Sequence, residues 1–249
     1  MPVIDPQAIH TALRFMRRSL AQAHAETMLK VYEANVHAGP FSTDAHAVGQ
    51  RSLKNVCLGY LMELEDPPFT QRCMRQFHDA SNMTDKMAAL HALVNTDGAE
   101  RTAALAAFYE QWRDDALVMD KWLALQATSR LPTTLNAVEA LTSHPVFNIK
   151  NPNKVRALIG SFCHANPARF HAASGEGYRF IGEFIRTLDP INPQVAARLV
   201  AAFSLWRRYD PPRQALMREQ LQRILAIPEL SRDVYEIVSK SLTDKAGMM

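Results

Sequence analysis

The sequence predicts an all-α fold, an irregular α-superhelix or armadillo/HEAT-like solenoid of roughly a dozen short helices. The first sign is punctuation. Three Asn-Pro steps, Asn151-Pro152, Asn166-Pro167 and Asn192-Pro193, fall close together, and Asp5-Pro6 and Asp210-Pro211-Pro212 repeat the pattern elsewhere. An Asn or Asp side chain caps the free amides of a helix start, and proline fits the first helical position because its missing N–H is not needed there. The second sign is periodicity, with apolar residues recurring at three- and four-residue intervals in stripes that need neighbours to bury them. The third is composition. Only nine glycines occur in 249 residues and β-branched alternation is scarce, whereas the good helix formers recur throughout.

The elements follow in order. After Asp5-Pro6, the residues Ile9, Leu13, Met16 and Leu20 form one stripe that runs on towards Met28, Leu29 and Tyr32, until Gly39-Pro40 breaks the chain. A second helix from Asp44 to Leu64 carries Val48, Leu53, Val56, Cys57 and Tyr60, and Asp66-Pro67-Pro68 ends it; a third starts near Phe69 and reaches His78. Thr84 reads as the cap of the next, with Asp85 in its first turn and Met87, Leu90, Leu93 and Val94 behind it. Asp97-Gly98 is a turn; Leu105, Phe108 and Trp112 share one face, and Leu117, Trp122 and Leu125 the next. A short helix holds Leu135, Val138 and Leu141 between Pro132 and Pro145.

Asn151-Pro152 then opens a stripe of Val155, Leu158, Ile159 and Phe162, and Asn192-Pro193 opens Val195, Leu199, Ala202, Phe203 and Trp206. Between them Gly175-Glu176-Gly177 turns into Phe180, Ile181, Phe184, Ile185 and Leu188. Asp210-Pro211-Pro212 starts a helix through Met217, Leu221 and Ile224, and Ser231 caps the last, with Val234, Ile237, Val238 and Leu242. No composition shift marks a boundary near residue 130, so residues 1–249 read as a single helical superhelix domain.

Hydrophobic residues make up 47% and charged residues 21%, the balance of a soluble globular protein. The formal charge of +3 is spread among interleaved acids, so no basic stripe calls for nucleic acid and no polybasic stretch for a membrane. Cys57, Cys73 and Cys163 are odd in number and widely spaced, which predicts buried reduced thiols and a cytoplasmic location. No stretch of the chain has the apolar length of a membrane span.

Catalytic chemistry is hard to assemble from these residues. None of the nine histidines stands four residues from another, as two zinc-binding imidazoles on one helical face would. Cys163, His164 and His171 come nearest to a cluster, but Asn166-Pro167 breaks the helix that would align them, so no metal site is expected in this chain. There is no Gly-x-Ser-x-Gly elbow, Walker loop or dinucleotide fingerprint, and the carboxylates of Asp114 and Asp115 point to different faces. No residue is assigned a catalytic role. Trp112, Trp122 and Trp206 lie on apolar faces and read as core. Arg156 and Arg198 each stand one turn after a helix-starting proline; on parallel neighbouring helices they would offer bidentate donors to a carboxylate, and otherwise they are surface charges.

Several stretches carry a resemblance: Arg51-Ser52-Leu53-Lys54-Asn55-Val56-Cys57-Leu58, Asn82-Met83-Thr84-Asp85, Leu117-Val118-Met119-Asp120-Lys121-Trp122, Asn151 to Phe162, Asn166-Pro167-Ala168-Arg169-Phe170-His171, Gly175-Glu176-Gly177-Tyr178, Asn192 to Leu199 and Arg208-Tyr209-Asp210. In this order they resemble the C-terminal helical domain of bacterial aminopeptidase N, of the M1 zinc metallopeptidase family. The resemblance implies an enzyme whose zinc, His-Glu-x-x-His ligands and Gly-Ala-Met-Glu-Asn substrate motif lie in other domains, none of which is in this chain. It also implies a fragment that begins inside the helical domain. That domain would close the catalytic cleft, with the parent's catalytic domains and peptide substrates as partners and no cofactor of its own. Arg156 and Arg198 match arginines facing the internal chamber near the substrate's C-terminal side, and Gln194 a glutamine near the pocket for the first side chain. The alternative from another class is a free-standing α-solenoid that grips a partner protein. The two differ in what they leave exposed: a domain that docks shows an apolar patch, and an adaptor ends in polar capping repeats.

Overall fold

The computed structural model describes residues 3–36 and 39–243, which fall into two compact units, one formed by His10–Asp115 and the other by the chain from Ala116 onward with the residues before His10. Among the described residues the regular structure is helical; the one extended pairing is an isolated bridge between Ile4 and Tyr209.

The first unit holds most of α1 (Pro6–Ala34), then α2 (Ala45–Leu61), α3 (Pro67–Asp79), α4 (Met83–Leu93) and α5 (Ala99–Trp112). Asp5 caps α1 as expected, its carboxylate accepting the amides of Gln7 and Ala8 at 3.0 Å each. The apolar stripe of α1 is not buried, however. Leu13, Phe15, Met16 and Leu20 are 40 to 73% exposed, whereas Ala21 and Tyr32 are buried. Polar contacts tie α1 down instead: Arg17 to the buried Glu63 at 2.8 Å, and the Tyr32 hydroxyl to Gln76 Oε1 at 3.0 Å. Helix α3 starts at Pro67, two residues before the expected Phe69, because prolines in a first turn forfeit no hydrogen bond. At α4 the cap is Asn82 and not Thr84: its side chain accepts the Asp85 amide at 2.9 Å, which sets the helix start two residues earlier. The core of this unit comprises Leu58, Leu61, Cys73, Phe77, Leu90, Leu93 and Phe108, with α4 packed by α2, α3 and α5.

The second unit comprises α6 (Ala116–Ala127), α7 (Thr134–Leu141), α8 (Pro152–Val155), α9 (Ser161–Ala165), α10 (Pro167–Phe170), α11 (Glu176–Leu188), α12 (Pro193–Val200), α13 (Pro211–Leu225) and α14 (Arg232–Leu242). A five-residue π-turn, Arg156–Gly160, joins α8 to α9. Asn151 and Asn192 cap as expected, accepting the amides of Asn153 and Val195. Asn166 is used differently. It is buried, and its side-chain amide donates to the carbonyls of Ala127 and Ser129 at 3.0 and 2.7 Å, satisfying carbonyls at the end of α6 that the helix cannot. At the centre Phe162, Phe170, Tyr178 and Phe203 are fully buried, and Phe170 meets the other three edge to face at 5.2 to 6.1 Å between centroids.

The two glycines flanking Glu176 are required. Gly175 has φ +68°, which side chains resist, and a Cβ on Gly177 would lie 2.6 Å from the Phe170 carbonyl oxygen. Tyr178 is thereby brought against His171.

Candidate functional site

Three exposed polar residues of the second unit are the candidates. Gln194 and Arg198 lie one turn apart on the outer face of α12, whose inner face buries Val195, Ala196, Leu199 and Val200. Both side chains are exposed, and Arg198 has no hydrogen-bond or ion-pair partner among the described residues. Arg156 lies opposite the buried Val155, Leu158 and Ile159 and is the first residue of the π-turn. Such turns insert one residue into the helical register and occur often at functional sites. Its guanidinium is partly engaged, Nε donating to the Pro152 carbonyl at 3.3 Å and Nη2 to Asn153 Oδ1.

The two arginine-bearing segments have different principal neighbours. The π-turn packs chiefly on α6, α8 and α9, while α12 packs on α11 and α14. Helix α11 touches both sides, with Phe180 against Phe162 of α9 at 6.1 Å between rings and its own contact with α12.

Behind this surface lies a set of buried polar braces. Lys154 Nζ reaches Asp120 at 2.8 Å and the Ala116 carbonyl at 2.8 Å, tying α8 to the start of α6. Arg169 donates to the Arg130 carbonyl at 2.7 Å. His171 is clamped between two hydroxyls, Tyr178 on Nδ1 at 2.9 Å and Tyr209 on Nε2 at 3.0 Å, and its carbonyl accepts Arg213 Nε at 2.8 Å. Burial, with the Arg213 charge beside it, pushes the imidazole down to about 4. The first unit has its own brace: Asp85 accepts Lys54 Nζ at 2.7 Å, Asn55 at 2.9 Å and Asn82 at 3.0 Å, while Gln76 bridges Asn55 and the Asp85 carbonyl.

These braces are made by the residues of the motifs singled out in the sequence. Asp120 pairs with Lys154, Lys54 with Asp85, His171 with Tyr178 and Tyr209. Sequence reasoning missed these pairings because, His171–Tyr178 at 7 positions apart excepted, the partners stand 31 to 38 positions apart and have no local signature. It also missed the π-turn, which nothing in Arg156–Gly160 announces.

The cysteines are free and buried, and burial pushes the thiols of Cys73 and Cys163 up to about 12, so they are packing groups and not nucleophiles. Among the described residues no three His, Cys, Asp or Glu side chains converge to hold a metal ion. His171, one of the three residues nearest to a cluster in sequence, has both ring nitrogens occupied by tyrosines. No helix among the described residues is long and apolar enough to cross a membrane.

Residues 1–243 match a family described as a domain of unknown function, DUF3458_C, of ARM repeats. Aminopeptidase N of Caulobacter vibrioides is 42% identical over 96% of the chain, and that of Escherichia coli is 39% identical over 96%. The chain spans about 28% of the length of either relative. A crystal structure of Legionella pneumophila aminopeptidase A in complex with aspartic acid superposes with a TM-score of 0.89 at 32% identity, covering 97% of this chain and 29% of that one. An all-α chain matched by this family over nearly its whole length, and by aminopeptidases over a little more than a quarter of theirs, belongs to the DUF3458_C family of ARM-repeat domains and corresponds to the C-terminal domain of aminopeptidase N.

Proposed function

We propose that this chain is the cleft-closing and peptide-positioning part of a zinc-dependent aminopeptidase that removes N-terminal residues from peptides, and that residues 1–249 act there as one helical domain without chemistry of their own. The observation that carries this reading over a free-standing interaction module is the outer face of α1, where Leu13, Phe15, Met16 and Leu20 stay exposed. An adaptor would end in a polar capping repeat, whereas an apolar helix face of this kind calls for a protein neighbour. In this reading the neighbour is the catalytic portion of the same parent, which holds the zinc and the general base.

The chain's own contribution is binding. Arg156 and Arg198 offer guanidinium forks to the carboxylate of a short peptide, and Gln194, one turn from Arg198, lies at the entrance to the pocket for the first side chain. Closing the cleft excludes water and orients the peptide, which lowers the barrier without a reacting group from this chain. Peptides and the parent's catalytic domains suffice as partners, with no nucleic acid or membrane surface, and three buried free thiols suit the cytoplasm.

The test is to assay the chain alone, and mixed with a separately produced catalytic portion, against an alanine anilide with and without chelator. Turnover is expected from the catalytic portion only. Chelator-sensitive turnover by the chain alone would overturn the proposal.

A further inference from the structure

A second site lies in the other unit, on the face where α2 meets α4. Val48, Arg51, Ser52, Asn55 and Val56 recur at the three- and four-residue spacing of one helix face, and with Thr84 of α4 they line an open cavity of about 470 Å³. That is room for a ligand of dipeptide size. Arg51 is only 9% exposed, yet among the described residues its guanidinium has no carboxylate and no hydrogen-bond acceptor; its one contact is the Phe41 ring, 4.8 Å from the guanidinium carbon. None of its nitrogens is among the buried side-chain atoms left without a partner, so the fork opens to solvent on this face, and a stacked ring answers none of its five donors. The neighbouring Lys54 shows the contrast, its charge being paired with Asp85 at 2.7 Å.

The remaining lining defines the ligand. Asn55 is held rigid by Asp85 and Gln76 and forms a fixed wall. The Ser52 and Thr84 side chains are exposed with no protein partner among the described residues, while Val48 and Val56, 47% and 53% exposed, present aliphatic surface beside the charge. A phosphate dianion asks for several cations and no hydrocarbon. One cation with two hydroxyls and valine walls suits a carboxylate attached to an aliphatic group, gripped by the planar fork of Arg51. We propose that this groove is a carboxylate-binding site whose anion is held by Arg51 and whose aliphatic neighbour lies against Val48 and Val56, separate from Arg156, Gln194 and Arg198.

Two sources could supply that carboxylate, a peptide's free C-terminus or an acidic side chain within a protein segment, and the probes separate them. The 249-residue chain, labelled with ¹⁵N, is titrated with N-acetylvaline, with N-acetyl-Val-Glu-Val-amide and with N-acetylvalinamide, which lacks the charge. The amide signals of Ser52 and Thr84 and the Arg51 Nε signal should move with at least one carboxylate and stay still with N-acetylvalinamide. The probe that binds identifies the source. Arg51→Gln should weaken binding at least tenfold. Val48→Asp, at an exposed position that tolerates change, should block the site with its own carboxylate while leaving the unfolding temperature near that of the parent chain. No response to either carboxylate, an equal response to N-acetylvalinamide, or full binding by a folded Val48→Asp variant would overturn the proposal.

Discussion

Acidification should unfasten the second unit through one residue, His171. Burial and the adjacent Arg213 charge push this imidazole from its ordinary 6.5 down to about 4. A neutral ring can accept one proton and donate another, so it satisfies the Tyr178 and Tyr209 hydroxyls together; the charged ring has two donors and must give up the hydrogen bond it accepted. The unfolded chain takes up this proton near pH 6.5 and the folded chain only near 4. The stabilisation is therefore complete above pH 6.5, falls as pH drops through that window and is gone below about 4. At about 1.4 kcal/mol per decade the whole effect is worth about 3 kcal/mol, and about 2 kcal/mol of it is lost by pH 5. Urea unfolding at pH 7.5 and 5.0 reads this directly for the chain and for His171→Gln. The variant should be less stable at pH 7.5 by about 1–3 kcal/mol, since a buried hydroxyl loses a partner, and should lack that part of the acid slope. An unchanged slope in the variant, or an imidazole signal titrating near 6.5 by NMR, would refute the reasoning.

Other perturbations probe the remaining contacts. Gly177→Ala drives a methyl against the Phe170 backbone and should cost about 1–3 kcal/mol by thermal unfolding, where a neutral result would show that the α10–α11 turn can shift. Asp85→Asn leaves the Lys54 ammonium buried and unpaired, so about 3–5 kcal/mol should be lost in urea titrations. Burial raises the Asp85 carboxyl, but hydrogen bonds from Lys54, Asn82 and Asn55 outweigh it and hold it below 3.8, so that stability is present above this value and lost only as pH falls further. In an intact parent enzyme Arg156→Ala and Arg198→Ala should raise KM for short peptides several-fold and leave anilide hydrolysis nearly unchanged; equal effects on both substrates would remove the carboxylate role.

What could be read from the sequence was local. Asp5, Asp44, Asn151, Asn192, Asp210 and Ser231 each accept amides of the helix they precede, because a cap is decided within four residues. What could not be read depends on distant partners. The Asn166 side chain donates to two carbonyls at the end of α6 instead of capping, and the stripe on α1 stays in solvent although its spacing matches that of buried stripes elsewhere. The same limit applied to the site. Spacing put Arg156 and Arg198 at equivalent depths in their helices, but α11 packs against both supporting elements, an arrangement set by aromatic contacts among α9, α10 and α11.

The motifs that carry the family resemblance and the residues proposed to bind peptide have opposite physical situations, which decides how each can be tested. Lys54, Asp85, Lys154 and His171 are buried and paired, so changing them alters stability first and any effect on a peptide follows indirectly. Gln194 and Arg198 are exposed with no described partner, and surface changes away from caps and cores usually move stability by no more than about 0.5 kcal/mol. A loss of peptide binding in Arg198→Ala can therefore be assigned to binding. Arg156 is intermediate, because its guanidinium braces Asn153 and the Pro152 carbonyl at the start of its own helix. Arg156→Lys is the sharper probe there: a lysine keeps the charge but lacks the fork, so a carboxylate role predicts partial rescue of peptide KM over Arg156→Ala, whereas a purely structural role predicts that KM follows thermal stability across the variants.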